Sequence, residues 1–183
     1  GSWWRGLGEY DFTTVDAYIR DYVAQIPDGY FMPRIYLGRQ GFAWWGALHP
    51  DEMTLVRDIE TGEDRGQYAP SPRAEHYLGH AVDLDLLNLH SYHSHVWREE
   101  AGQAIADLVA HCEAMDYADR IWAWHPGDGL FHEWFQWNEY DFEVLADYSP
   151  AAQADFRRRL RQIYHDDAEA LARAWGRDID FDT

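Results

Sequence analysis

Apolar residues recur at three- and four-residue spacings in two long segments, and this spacing predicts amphipathic helices. Residues 11–26 form the first, with Thr13 or Thr14 as a candidate N-cap, and residues 96–115 form the second. The first apolar stripe contains Phe12, Val15, Ile19, Tyr22, Val23 and Ile26, and the second contains Ala101, Ala104, Ile105, Leu108, Val109 and Cys112. We expect Cys112 to be buried and inert, because a single thiol cannot form an internal disulfide.

Two short apolar runs bounded by Gly and Pro predict buried parallel strands. The first is "YFMPRIYLG", and the second spans residues 121–124 and stops at a Pro-Gly turn. Between them, residues 38–100 show only weak periodicity, so we expect a long excursion with short turns of helix. Loops of this length inside a domain are usually functional.

The C-terminal part predicts two further helices. Ser149 is the expected N-cap of the first, with Pro150 at its first position, and Gly176 closes the second. Helices that alternate with apolar strands indicate an α/β fold. The length of 183 residues fits one domain over residues 1–183.

The chain is strongly acidic, with a net charge of −18 and 15 basic residues, all of them Arg. Such a surface repels phosphate backbones, so nucleic acid is not an expected partner. No membrane-spanning or signal-like segment is visible. We therefore expect a cytoplasmic protein, with secretion as the alternative, and we expect no cofactor.

Aromatic residues and carboxylates concentrate in one loop after the second predicted strand. The sequence has 10 Trp, and "GDGLFHEWFQWNEY" places Glu133 and Glu139 among aromatic side chains. Apolar surroundings raise the pKa of a carboxyl group, which suits a general acid acting on a glycosidic bond. The alternative is an acidic surface loop. His90, His93 and His95 have spacings that a zinc site could use, although polar loop histidines are the preferred interpretation.

Several stretches taken in order resemble the clan A (β/α)8-barrel glycoside hydrolases, and within them the β-galactosidase-like group. They cover nearly the whole chain and include "YDFTTVD", "YFMPRIYL", "WWGALHPDE", "HSYHSHVWREEAGQAI", "YADRIWAWHPGDGLFHEWF" and "DYSPAAQADFRRRLRQIYHDDAEALARAWG". The last stretch is the most specific. The resemblance implies a partial barrel, from about the second to the fourth βα unit, with its acid/base glutamate after the fourth strand.

Carried onto this sequence, the resemblance makes Glu133 the general acid/base of a retaining mechanism, with Glu139 of the Asn-Glu pair as its rival. The implied sugar contacts are Arg34, Trp44, Trp45, His125, Asp128, Trp134 and Asn138. A complete barrel needs about 250 residues, so a further segment, a partner chain or another copy would have to supply the nucleophile. A non-catalytic protein that binds carbohydrate or assembles with itself is the alternative.

Overall fold

The computed structural model describes residues 3–37, 42–64, 90–127 and 144–182, and these residues form a mixed α/β structure. The strands are β1 (Trp4–Gly6), β2 (Glu9–Tyr10), β3 (Arg34–Tyr36), β4 (Arg57–Asp58), β5 (His125–Gly127) and β6 (Val144–Leu145). The helices are α1 (Thr13–Gln25), α2 (Ala43–Leu48), α3 (His95–Glu113), α4 (Pro150–Ile163) and α5 (Ala168–Trp175). Short 3-10 turns span Pro50–Glu52 and Ala118–Arg120.

The six described strands form three separate two-stranded sheets. β1 pairs with β2 and β4 pairs with β6, both antiparallel, whereas β3 pairs with β5 in parallel. The parallel pairing agrees with the prediction, and the first strand lies within its predicted run, but the second strand lies outside residues 121–124. A closed barrel is not formed by the part of the chain that the structure describes.

The second parallel strand lies later in the chain than the apolar run predicts. Residues 121–124 contribute only an isolated bridge between Ile121 and Phe31, and the strand itself begins at His125. Trp122 is 77% exposed, so the expectation that this run is buried is wrong at Trp122. In the first run Tyr30 and Met32 are 67% and 45% exposed, so the expected burial is wrong there too. The position of the second strand is determined by its pairing with "YFMPRIYLG". The apolar content of the run alone does not predict this position.

Helix α1 agrees with its predicted range but not with its predicted cap. The residue before the helix is Phe12, and neither Thr13 nor Thr14 is the N-cap. Asp11, the residue before Phe12, caps the helix instead. Its carboxylate accepts a hydrogen bond from the Thr13 backbone N–H at 3.2 Å. Ile19 is buried at the centre of the apolar face, whereas Ile26 just beyond the helix is exposed.

The core forms where α1, α2 and β3 pack against α3. Ser94 caps α3 by accepting a hydrogen bond from the Trp97 backbone N–H at 2.9 Å. The buried face of α3 includes the predicted residues Ala101, Ala104, Leu108 and Cys112, and it begins earlier, at Trp97. Cys112 is fully buried, as the sequence predicts.

Both predicted C-terminal helices are present with their predicted ends. Ser149 Oγ accepts from the Ala152 backbone N–H at 3.1 Å, and Pro150 occupies the first turn of α4. Gly176 ends α5 in the left-handed conformation, with φ of 62°, a geometry that costs glycine least. Of the described helices, none is long and apolar enough to cross a membrane.

Candidate functional site at the carboxyl ends of the parallel strands

The carboxyl ends of β3 and β5 lie side by side. In the register of the ladder, Tyr36 is opposite Gly127, and the Leu37 backbone N–H donates to the Gly127 carbonyl at 2.9 Å. Loops that leave neighbouring parallel strands at this end share one edge of the sheet, which is where α/β proteins place their sites. The segments that carry the predicted chemistry therefore depart from adjacent points.

Five predicted site residues follow β5 directly and lie outside the described residues. They are Asp128, Glu133, Trp134, Asn138 and Glu139. Their roles as acid/base and sugar-contacting groups stay predictions. The described residue that precedes them in the sequence is Gly127, the last residue of β5.

The ladder brings together two predicted sugar contacts that stand far apart in the sequence. Arg34 and His125 are register partners at the first position of β3 and β5. Side chains of register partners project from the same face of a sheet. The Arg34 side chain is exposed and His125 is half-buried, so this pair forms a polar position beside the two strands.

The other predicted pair, Trp44 and Trp45, lies in α2 and is more enclosed than a sugar platform requires. Trp45 is 1% exposed, and its ring meets those of Trp97 and His49 at centroid distances of 4.8 and 4.6 Å. Trp44 is half-buried and contacts the ring of Trp4 edge-on at 5.1 Å. Trp45 therefore supports the site from within the core.

A carboxylate at the edge of this aromatic core is held by α2. Glu100 Oε2 accepts a hydrogen bond from the Trp45 indole Nε1 at 2.6 Å. His49 Nε2 lies 3.2 Å from the same oxygen, within ion-pair distance, but its orientation makes no hydrogen bond to a described residue. Both side chains are partly exposed, but the Nε2 atom of His49 is itself buried.

An open, mostly apolar cavity of about 360 Å³ lies against the same aromatic cluster. His90 is buried and stacks on Trp97 with ring centroids 3.6 Å apart and planes 15° from parallel. The lining also includes Leu37, directly after β3, and Tyr92. The cavity thus opens beside the carboxyl end of β3, and its volume is within the range of small-molecule sites.

Of the three histidines of the possible zinc site, His93 and His95 lie against the same carboxylate, and His90 lies apart from them. His90 packs on Trp97, whereas Nδ1 of His93 lies 3.0 Å from Asp155 and Nε2 of His95 lies 3.7 Å from it. Within the described ranges, His, Cys, Asp and Glu side chains form no group of three that could hold a metal ion. The structure therefore favours the polar interpretation of these histidines.

Asp155 is the most strongly perturbed carboxylate in the described part of the chain. It is only 6% exposed, and this burial on its own raises the pKa. Hydrogen bonds from His93 and Arg158 outweigh the effect, so the pKa of Asp155 falls to about 2. A buried, ionised carboxylate with several cationic partners joins α4 to the turn before α3, which is a structural role.

Sequence reasoning passed over Glu100, Trp97 and Asp155. Glu100 precedes the apolar stripe of α3 by one position and follows Trp97 by three, so helical spacing places it on the flank of the buried face. That spacing is a usable signal for a half-buried carboxylate. Asp155 has no comparable signal, because its partners His93 and His95 come from a distant segment.

Comparison of the chain with protein-family models, with curated proteins and with solved structures found no match. The proposed function therefore rests on the fold and the site geometry.

Proposed function

We propose that this chain is a glycoside hydrolase-like protein that acts on β-linked sugars. In this proposal the parallel β3–β5 pair is part of a (β/α)8-type arrangement, and Glu133 is the general acid/base of a retaining mechanism. The observation that carries the proposal is the adjacency of the carboxyl ends of β3 and β5, where Leu37 bonds to Gly127. The segment with Glu133 and Glu139 begins directly after this point.

The surroundings of the strand ends support a carbohydrate ligand. Sugar rings combine apolar C–H faces with polar rims, and the cavity beside β3 offers the stacked His90 and Trp97 rings together with Leu37. Glu100, which Trp45 holds at the edge of the same aromatic cluster, supplies a hydrogen-bond acceptor. Apolar walls with a few convergent polar groups are typical of small-molecule sites.

The reaction requires two carboxyl groups, one on each side of the scissile bond. Glu133 would protonate the leaving oxygen and later remove a proton from the attacking water. A second carboxylate would form the covalent glycosyl intermediate. We propose that a further segment or a partner chain supplies this nucleophile, since Glu133 and Glu139 compete for the same acid/base role.

The test uses two β-galactosides, one with a nitrophenolate leaving group and one with an alkyl leaving group. Loss of a general acid slows cleavage of the alkyl substrate far more, because nitrophenolate leaves without protonation. We expect Glu133→Gln to lower kcat/KM for the alkyl galactoside by 10²-fold or more, while Glu99→Gln on the exposed side of α3 leaves it unchanged.

Each assay is run with the protein alone and with the product of any adjacent gene, so that a missing nucleophile can be supplied. Addition of azide provides a second measurement, because it replaces water as nucleophile and needs no general base. Azide should rescue turnover of the nitrophenyl galactoside by the Glu133→Gln variant, with formation of a β-glycosyl azide. Unchanged turnover in both Glu133→Gln and Glu139→Gln would refute the catalytic role.

A second candidate is a non-catalytic protein that binds carbohydrate or assembles with itself. The observation that favours it is the small size of the parallel sheet, which has two strands in the described part of the chain. Exposed sheet edges favour pairing with another chain. Calorimetry with oligosaccharides that shows binding without hydrolysis, together with a sedimenting mass of a dimer or larger, would support this candidate over the first.

A further inference from the structure

A second cleft, of about 560 Å³, lies between α1 and the segment that leads into β3. Its walls are rich in tyrosine: Tyr18 and Tyr22 come from one face of α1, and Tyr30 comes from the facing segment. Met32 and Arg34 also line the cleft. The volume is sufficient for a ligand larger than a monosaccharide.

The tyrosines of this cleft present unusually large aromatic surfaces to solvent. Tyr18 is 75% exposed and Tyr30 is 67% exposed, whereas Tyr22 packs on Phe31 with ring centroids 5.2 Å apart. Tyrosine combines an apolar face with a hydroxyl group that both donates and accepts hydrogen bonds. Exposed tyrosines around a concave surface therefore suit a ring with apolar faces and a polar rim.

Arg34 gives the cleft a charge opposite to that of the protein. Among the described residues that line the cleft it is the one charged side chain, and no Asp or Glu lies in the wall. By contrast, Arg20 on the same helix as Tyr18 pairs with Asp116 at 3.3 Å. Arg34 makes no hydrogen bond or ion pair within the described ranges, so its guanidinium is free to bind a ligand.

A cationic side chain has a larger effect on anion binding in this chain than in most proteins, because the net charge of −18 repels anions from the surface as a whole. A guanidinium binds a carboxylate through two parallel hydrogen bonds, which gives both affinity and orientation. No Asp or Glu is among the described residues in the wall of the cleft, so an anion can reach Arg34.

We infer that this cleft binds the acidic residue of a β-linked oligosaccharide, with the sugar ring on the tyrosines and its carboxylate on Arg34. This inference rests on the proposed function for the carbohydrate class, and it narrows the ligand to a uronic acid-containing sugar. Arg34 is thereby a specificity-determining residue.

The test measures binding by calorimetry of two β-linked disaccharides, glucuronosyl-glucose and glucosyl-glucose. They differ in a carboxylate that replaces a hydroxymethyl group. We expect the acidic sugar to bind at least about tenfold more tightly at low salt, because charge-assisted hydrogen bonds are about twice as strong as neutral ones. Added salt should weaken binding of the acidic sugar and leave the neutral sugar unaffected.

Three variants locate the effect. Arg34→Gln should abolish the preference while the affinity for the neutral sugar stays within about twofold. Tyr18→Ala, at an exposed position, should weaken binding of both sugars. Arg177→Gln removes an exposed arginine outside the cleft and should change neither affinity. Thermal unfolding of each variant verifies that the fold is retained.

Equal affinity for the two sugars, failure of both to bind, or a preference that survives Arg34→Gln would overturn the inference. These outcomes are separable from failure of the proposed hydrolase. Acid-selective binding without turnover, in assays that also contain the product of any adjacent gene, would refute the hydrolase and leave the inference standing. Turnover of neutral sugars without acid preference would refute the inference alone.

Discussion

Nδ1 of the His93 imidazole lies 3.0 Å from Oδ2 of Asp155, and this contact connects the turn before α3 to the middle of α4. Arg158 bonds to the other carboxylate oxygen. Because Asp155 is buried and its partners come from two segments, its carboxylate joins these two segments. Removing the carboxylate tests this role directly.

Asp155→Ala should lower the free energy of unfolding by about 2 kcal/mol, because His93 and Arg158 lose the carboxylate that accepts their hydrogen bonds. Both of these partners are already half-exposed to water. Denaturant unfolding measures the change. Glu169→Ala provides the control, because Glu169 is a highly exposed carboxylate that pairs with Arg173 at 3.3 Å, and its loss should cost under about 0.5 kcal/mol. Equal effects in the two variants would contradict the structural role of Asp155.

The acid stability of the protein should depend on Asp155. The ordinary pKa of an aspartate is 3.8, and that of Asp155 in the folded protein is about 2. The unfolded chain therefore takes up this proton more readily than the folded chain. The stabilisation is fully present above about pH 4 and is lost as pH falls toward 2. Urea unfolding between these values should show a smaller pH dependence in Asp155→Asn than in the unsubstituted protein.

Glu100 should stabilise the fold by accepting from the buried Trp45 indole. Glu100→Ala leaves this N–H without its acceptor, and we expect a loss of about 1–2 kcal/mol. Glu100→Gln retains an acceptor oxygen and should cost less. Glu99→Ala, one position away on the exposed side of α3, is the matched control. If the alanine variant at position 100 unfolds at the same denaturant concentration as the control, the hydrogen bond contributes no stability.

Two glycines provide a matched comparison of backbone strain. A Cβ at either Gly176 or Gly102 would meet no atom within 4 Å, so space does not distinguish them. Gly176 has φ of +62°, and Gly176→Ala should cost about 1 kcal/mol. Gly102 lies within α3, where Ala is the better helix former, so Gly102→Ala should stabilise by up to about 1 kcal/mol. If both variants shift the unfolding temperature in the same direction, the backbone conformation of the two glycines does not determine the effect.

Cys112 should be unreactive in the folded protein. Its side chain is fully buried, and this burial raises the pKa of the thiol, so the reactive thiolate is scarce. A thiol reagent should label the protein slowly in buffer and rapidly in denaturant, with a rate that follows unfolding. Rapid labelling at neutral pH without denaturant would show that the core opens around α3.

The sequence predicts helices better than strands in this chain, for a physical reason. The ends of α4 and α5 follow from Ser149 and Gly176, because caps and left-handed glycines act within one turn of helix. The position of β5 depends on pairing with a segment distant in sequence. Its apolar run therefore indicates that a strand exists but misplaces it, and Trp122 is exposed.

The candidate site is likewise only partly predictable from the sequence. The family resemblance implies that Trp44 and Trp45 contact a sugar, and both residues lie in α2. Their burial depends on Trp97 and Glu100 from another helix, and no local pattern carries this information. The pairing of Arg34 with His125 likewise appears only when the parallel ladder forms.

The network around Asp16 has a consequence for synthesis on the ribosome. Asp16 accepts hydrogen bonds from His111 at 2.8 Å and from Tyr117 at 2.5 Å, and Tyr117 stands 101 positions later in the chain. Helix α1 thus leaves the exit tunnel long before its partners exist. Until residues 111–117 have emerged, Asp16 lacks both of these partners, although Tyr22 can already pack on Phe31. This part of the core therefore forms late in synthesis, and contacts of such long range slow folding.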